Sequence, residues 1–92
     1  MNIVQWLFRK IYYRSYWVQD YTPSLRLYFN KKNKIVDSQS KEAYSNTAVV
    51  STWRKANKIM DDMEAYGSKK IQVTMMELRF GKRYLTTREY EV

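Results

Sequence analysis

The chain has 92 residues and a formal net charge of +8 at pH 7. That length suits one domain covering residues 1–92, with no room for a second hydrophobic core. The chain has no cysteine and no histidine, which excludes a disulfide scaffold, a thiolate zinc site and the commonest general base at neutral pH. No other catalytic constellation is visible. We therefore expect a protein that is not an enzyme and that needs no metal, cofactor or small-molecule substrate.

The sequence predicts neither a membrane span nor a signal peptide. No apolar run approaches the roughly 20 residues that cross a bilayer. The segment 1–13 is interrupted by Gln5, Arg9 and Lys10 and has no small-residue cleavage site. We therefore expect a soluble, cytoplasmic protein. Phenylalanine, tyrosine, methionine, isoleucine, asparagine and lysine together outnumber glycine, alanine, arginine and proline, a bias typical of AT-rich coding sequences such as those of many phages.

The beginning of the chain is open to two interpretations. Val4, Leu7, Phe8 and Ile11 follow the spacing of one helix face, which predicts a short amphipathic helix at residues 2–11. The tyrosine-rich residues that follow favour a strand, which could instead extend back to Ile11. Such a helix would pack on the core, dock on a partner or lie at a membrane surface.

Alternating residues then predict two strands and a tight turn. Strands are expected at residues 15–21 and 24–30, the second with apolar residues at every other position. The polar residues 30–34 predict a turn, after which residues 35–36 begin a short return strand. Residues 38–44 are expected to form a loop or the approach to a helix.

The clearest pattern predicts a helix at about residues 47–66. Its apolar residues recur at spacings of four and three, which draws one stripe along a helix. Side-chain oxygens at residues 45–47 suit the beginning of this helix, and Gly67 suits its end. The stripe consists of Val49, Trp53, Ala56, Met60 and Met63.

A terminal hairpin is expected after the helix. Residues 70–80 and 83–90 are rich in alternating side chains and predict two strands. Gly81 and Lys82 between them suit a two-residue type II′ turn, because glycine accepts the positive φ of the first turn position.

The faces of this hairpin can be assigned from the same register. Leu78 is expected opposite Leu85, on the side that packs into the core together with Phe80, and the other side is expected to be solvated. The apolar phase changes at Met75 and Met76, which predicts a β-bulge there.

Together these elements predict an α+β fold. We expect an antiparallel sheet of four or five strands with the one long amphipathic helix packed on one face. The helix is expected to contact the sheet through Val49, Trp53 and Met60.

Basic and tyrosine side chains are expected on exposed strand faces, with Arg26 and Tyr28 on one and Arg79, Tyr84 and Arg88 on another. Arginine and tyrosine alternate on the strands, and lysines crowd the turn at residues 30–34. This composition is typical of nucleic-acid platforms, in which rings stack on bases and cations neutralise phosphates. The competing interpretation is an ordinary solvated face. The candidate binding residues are Arg26, Tyr28, Lys31, Lys32, Lys34, Arg79, Arg83, Tyr84 and Arg88.

The charge and the missing catalytic residues favour a small binding protein. We predict that it engages an anionic partner, either nucleic acid or a protein–nucleic-acid complex. The alternative is an inhibitor or adaptor that binds one host protein, for example to counter a host defence, with Trp6, Tyr16 or Trp17 as exposed anchors. A third hypothesis is a structural subunit that self-associates through a sheet edge or the N-terminal helix.

Overall fold

The computed structural model describes residues 12–23 and 27–91. Within them lie β1 (Tyr12–Asp20), β2 (Tyr28–Phe29), β3 (Ile35–Val36), β4 (Thr47–Val50), α1 (Trp53–Ala65), β5 (Lys70–Arg79) and β6 (Lys82–Glu91). Four strands form an antiparallel sheet in the order β4–β1–β5–β6, and β2 pairs with β3 in a separate hairpin. This arrangement confirms the predicted α+β class. The helix predicted at residues 2–11 lies outside the described residues.

The hydrophobic core lies between α1 and one face of the sheet. Successive strand residues point to opposite faces, so each strand contributes every second side chain to this core. Val18 and Val73 are neighbours across β1 and β5, and both are buried. Ala56, Ile59 and Met63 of α1 belong to the same buried cluster. We call this face the helix side of the sheet and the opposite face the second face.

The helix begins later than the predicted residue 47. Thr47–Val50 pair with β1 as β4, since β-branched residues favour a strand when a neighbouring strand is available. Thr52 is the N-cap of α1, and its side-chain oxygen accepts a hydrogen bond from the backbone N–H of Lys55 at 3.2 Å. The predicted stripe therefore joined two elements: Val49 belongs to the strand and Trp53 is the first helical residue.

The end of α1 confirms the predicted place of Gly67. Tyr66 is the C-cap, and Gly67 follows it with a φ of 100°. The Gly67 N–H donates to the Glu64 carbonyl and the Ser68 N–H donates to the Met63 carbonyl, each at 3.0 Å. These two bonds form a Schellman motif, which satisfies carbonyls that the last turn leaves free. No helix in the described part of the chain is long and apolar enough to cross a bilayer.

The turn between β5 and β6 lies one residue earlier than predicted. Arg79 pairs with Lys82, so Phe80 and Gly81 are the two turn residues. Both have positive φ, 50° and 82°, which is type I′ geometry. A type II′ turn needs positive φ at its first central residue alone, so that prediction is wrong. The cause is the unbroken pairing along the whole of β5, which fixes where the chain must reverse.

Near its tip, the hairpin was predicted to face the core with the side that carries Leu78 and Leu85. In the structure the other side faces the core. Ile71 and Val73 are buried on the helix side, and β5 pairs with β6 without a bulge, so the apolar phase never switches. Leu78 and Leu85 consequently lie on the second face, where Leu85 is 59% exposed. Leu85 lies opposite Met76 rather than Leu78. A continuous register keeps each strand on one phase, which a local hydrophobic pattern cannot show.

The β2–β3 hairpin confirms the turn predicted at residues 30–34 and is attached to the main sheet. Phe29 is buried, and its backbone N–H donates to the Ser45 carbonyl at 2.7 Å. Of the strand predicted at residues 24–30, the structure shows Tyr28–Phe29, while residues 24–26 lie outside the described part.

Candidate functional site

An aromatic pocket lies beside α1, on the part of the helix side that the helix leaves open. The helix packs on β1 and β4, so β5 and β6 extend beyond it. The Trp53 ring lies between two tyrosines, with its centroid 5.6 Å from the Tyr16 ring and 6.4 Å from the Tyr90 ring. The pocket has a volume of about 310 Å³. It is lined by Tyr16, Trp53, Val73, Met75, Thr86, Arg88 and Tyr90.

The lining of the aromatic pocket combines flat apolar rings with a cation. Trp53 is 42% exposed and Arg88 is exposed, so both can contact a bound molecule. Within residues 12–23 and 27–91, no carboxylate lies within ion-pair distance of Arg88. Aromatic faces stack on planar rings, and a guanidinium group adds both stacking area and positive charge. The pocket therefore suits a planar ring that is joined to an anionic group.

Further along the helix side, a buried carboxylate binds two arginines. Glu77 Oε2 accepts hydrogen bonds from Arg14 Nη2 and from the Tyr12 hydroxyl, each at 3.1 Å, and Arg79 Nη2 reaches both Glu77 oxygens at 3.0 and 3.1 Å. The bonds from Arg14 and then Arg79 hold the pKa of Glu77 below its ordinary value. The Arg79 guanidinium also lies 5.3 Å from the centroid of the Tyr84 ring. The one negative charge of Glu77 neutralises one of the two arginine charges, so this Glu77 cluster keeps a net positive charge.

Near β4, at the far edge of the sheet, four lysines line one cleft. Lys32 and Lys34 come from the turn between β2 and β3, and Lys55 and Lys58 come from α1. One acidic residue, Asp62, lines the same cleft, whose volume is about 460 Å³. The cleft therefore concentrates positive charge, and a cleft lined by one sign of charge raises the local concentration of anions. We call this feature the lysine cleft.

The turn that carries two of these lysines is fixed by asparagine side chains. Asn30 Oδ1 accepts hydrogen bonds from the backbone N–H groups of Lys32 at 2.8 Å and Lys34 at 3.0 Å. Asn33 adopts a φ of 60°, which asparagine tolerates better than most residues. Its Nδ2 donates to the Val49 carbonyl at 3.0 Å. The turn is thereby held against β4, beside the lysines of the helix.

The predicted lysine and tyrosine candidates of the first half of the chain separate in the structure. Lys32 and Lys34 line the lysine cleft. Lys31 instead lies 5.5 Å from the centroid of the Tyr44 ring, over a neighbouring depression. Tyr28 is half-buried in β2. The turn thus supplies two of its three lysines to the cleft.

The predicted arginine candidates also divide between two faces. Arg79, Tyr84 and Arg88 share one face, as predicted, but this face is the helix side and not the solvated side expected for them. Arg88 lines the aromatic pocket, and the other two belong to the Glu77 cluster. Arg83 lies on the second face and cannot join them. Arg26 lies outside the described residues.

Several residues of these sites escaped prediction from sequence. Trp53 was placed in a buried stripe, whereas it forms a wall of the aromatic pocket. Tyr16 was considered an exposed anchor, whereas it is buried and lines the same pocket. Lys55 and Lys58 are three residues apart, a spacing that places both on one helix face and was available in the sequence.

No protein-family model matches this chain, and neither does any curated protein or solved structure with which it was compared. The aromatic pocket and the lysine cleft are therefore the features of this chain from which a function can be inferred.

Proposed function

We propose that this chain is a cytoplasmic, non-catalytic protein that binds single-stranded nucleic acid. The observation that carries the proposal is the lysine cleft, in which four lysines from two separate elements line one concavity. Lysine clusters bind phosphate backbones mainly by releasing condensed counterions, which requires no particular base sequence. A net charge of +8 adds long-range attraction for a polyanion.

The aromatic pocket supports an unpaired strand over a duplex. A base can stack on Trp53 or Tyr90 only when it is free of its own helical stack. Arg88 beside these rings would meet the phosphate or the base of the same nucleotide. The volume of about 310 Å³ lies at the lower end of the range of roughly 300–1,000 Å³ that is usual for ligand pockets, which suits one small ring system.

Binding of fluorescently labelled single-stranded oligonucleotides to Trp53 variants tests the proposal. Removing one stacking ring costs about 1–3 kcal/mol, so we expect Trp53→Ala to weaken binding by roughly 5- to 150-fold at fixed salt. Trp53→Phe keeps an aromatic face and should recover much of the affinity. Fluorescence anisotropy measures both variants.

Tyr66→Ala is the matched control for this experiment, because Tyr66 is an exposed aromatic residue at the other end of α1, outside the pocket. Circular dichroism establishes that each variant is folded. Equal affinities for all three variants would contradict a role of the aromatic pocket in binding. A folded protein that prefers duplex to single strand would contradict the choice of an unpaired ligand.

A second candidate function is that of an inhibitor or adaptor that binds one host protein. The second face favours it, because Tyr13 lies opposite Leu78 and Met76 lies opposite Leu85, with Tyr13 and Leu85 exposed. Adjacent exposed apolar side chains are typical of protein-binding surfaces. A stoichiometric protein partner that survives nuclease treatment, and that is lost with Leu85→Lys but kept with Trp53→Ala, would favour this candidate over the first.

A further inference from the structure

The strand β6 ends the sheet and exposes its outer edge. It pairs with β5 on one side, and among the described residues no strand pairs with its other side. The residues Lys82–Glu89 and Glu91 are all exposed, so nothing in the described part of the chain covers this edge. A strand of 10 residues with free outward N–H and C=O groups is a template for pairing with another strand.

The two ends of β6 carry charges of opposite sign. Lys82 and Arg83 begin the strand, and Glu89 and Glu91 end it. A second copy of the same strand, laid antiparallel, brings the basic beginning of each copy against the acidic end of the other. Opposite charges on directly opposed residues stabilise a pair of strands, and like charges destabilise it. The edge is therefore complementary to itself in the antiparallel direction.

Symmetry limits the registers that such a pair can adopt. Two identical edges meet about a two-fold axis perpendicular to the sheet, so a residue faces a residue on the same side of the sheet, and one residue faces its own copy. With Thr86 opposite itself, Arg83 faces Glu89 of the second copy and Tyr84 faces Arg88 of the second copy. Each of these contacts occurs twice in the dimer.

The neighbouring symmetric registers are less favourable. With Leu85 opposite itself, Lys82 faces Arg88 of the second copy, and with Arg88 at the axis two arginines oppose each other. With Thr87 at the axis, Leu85 faces a glutamate, and the acidic partner of Arg83 becomes Glu91.

The two glutamates differ in their existing contacts. Glu91 already lies 4.0 Å from Lys70 of its own chain. Within the described residues Glu89 has no such ion pair. This difference favours the register centred on Thr86.

We propose that β6 pairs antiparallel with β6 of a second copy of this chain, centred on Thr86, to form a continuous eight-stranded sheet. Thr86 and Arg88 also line the aromatic pocket, so the two pockets of the dimer lie on the same side of the joined sheet. Pairing gives Arg83, which is remote from the pocket and from the lysine cleft, a contact of its own. The proposal is independent of what the pocket binds.

Introduced cysteines test the register, because the natural chain has none. Directly opposed residues lie about 5 Å apart, within disulfide reach, whereas diagonal positions lie about 7–8 Å apart, beyond it. We expect full-length Thr86→Cys to form a disulfide-linked dimer under mild oxidation and the matched control Thr87→Cys to stay unlinked. Linkage of Thr87→Cys alone would overturn the register centred on Thr86.

Sedimentation of the cysteine-free protein tests the association itself. Moderate salt screens the repulsion between two chains that each carry +8. We expect Arg83→Glu to weaken dimerisation by about tenfold, since two attractive contacts become repulsive, and the double change Arg83→Glu with Glu89→Arg to restore it. A strict monomer at all concentrations, or a double variant as weak as the single one, would overturn the proposal.

Discussion

Glu77 is a carboxylate buried on the helix side of the sheet, the face that also carries the hydrophobic core, and its partners explain why it is tolerated there. Arg14 and Arg79 bind its oxygens from two strands, and the Tyr12 hydroxyl adds a third donor. A buried charge is costly unless it is paired and hydrogen-bonded, and here it is both. The same bonds keep the pKa of Glu77 below its ordinary value.

This lowered pKa predicts how stability depends on pH. A carboxyl whose pKa is lower in the folded state than in the unfolded state contributes stability above the unfolded value and loses it as pH falls through the folded value. We expect Glu77→Gln to lower Tm at pH 7 and the difference from the natural protein to shrink as pH falls below about 4.5, the ordinary value. Thermal unfolding between pH 7 and pH 2 measures this. A difference that stays constant over that range would contradict the ion-pair explanation.

At the scale of elements, the β5–β6 turn stores strain that a single substitution can relieve. Phe80 adopts a φ of 50° although its side chain is 82% exposed, so it gains little from burial in return. Left-handed backbone costs most residues roughly 1–2 kcal/mol, and asparagine before glycine is the preferred pair for a type I′ turn. We expect Phe80→Asn to raise the free energy of unfolding by about 1 kcal/mol, measured by urea denaturation.

Phe80→Val is the opposing control for the turn, because β-branched residues tolerate left-handed backbone poorly. It should lower the free energy of unfolding. If Phe80→Asn were no more stable than the natural protein, the strain assigned to this turn would be wrong.

The elements also show which parts of the fold the sequence could predict. Local signals were sufficient for the two long strands of the hairpin, the turn at residues 30–34 and the end of α1 at Gly67. They were insufficient for the start of α1, because residues 47–50 have a helical spacing and become a strand only through pairing with β1. The prediction of the faces of β5 was wrong for a related reason. Glu77 is tolerated on the helix side because Arg14 binds it from β1, which is adjacent in the sheet but 63 residues away in sequence.

At the scale of the whole molecule, the candidate sites depend on contacts between distant segments. The sequence offered Lys32, Lys34 and Arg88 as candidate binding residues, but it could not show that a turn and a helix contribute lysines to one cleft. The aromatic pocket exists because α1 covers part of the sheet, a matter of packing rather than of pattern. The predicted basic residues are thus divided between the lysine cleft, the aromatic pocket and the Glu77 cluster, in which one carboxylate neutralises one of two arginine charges.

The salt dependence of single-strand binding, compared between two double variants of equal net charge, shows whether phosphates bind in the lysine cleft. Lys55→Gln with Lys58→Gln removes two charges from the lysine cleft, whereas Lys41→Gln with Lys69→Gln removes two charges outside it. The slope of log K against log salt is negative, and each lost phosphate contact reduces its magnitude by about 0.7. We expect the cleft variant to lose affinity and to show a slope smaller by about 1.4, with the control unchanged. Equal losses in both variants, or no binding at low salt by the natural protein, would contradict phosphate binding in the lysine cleft.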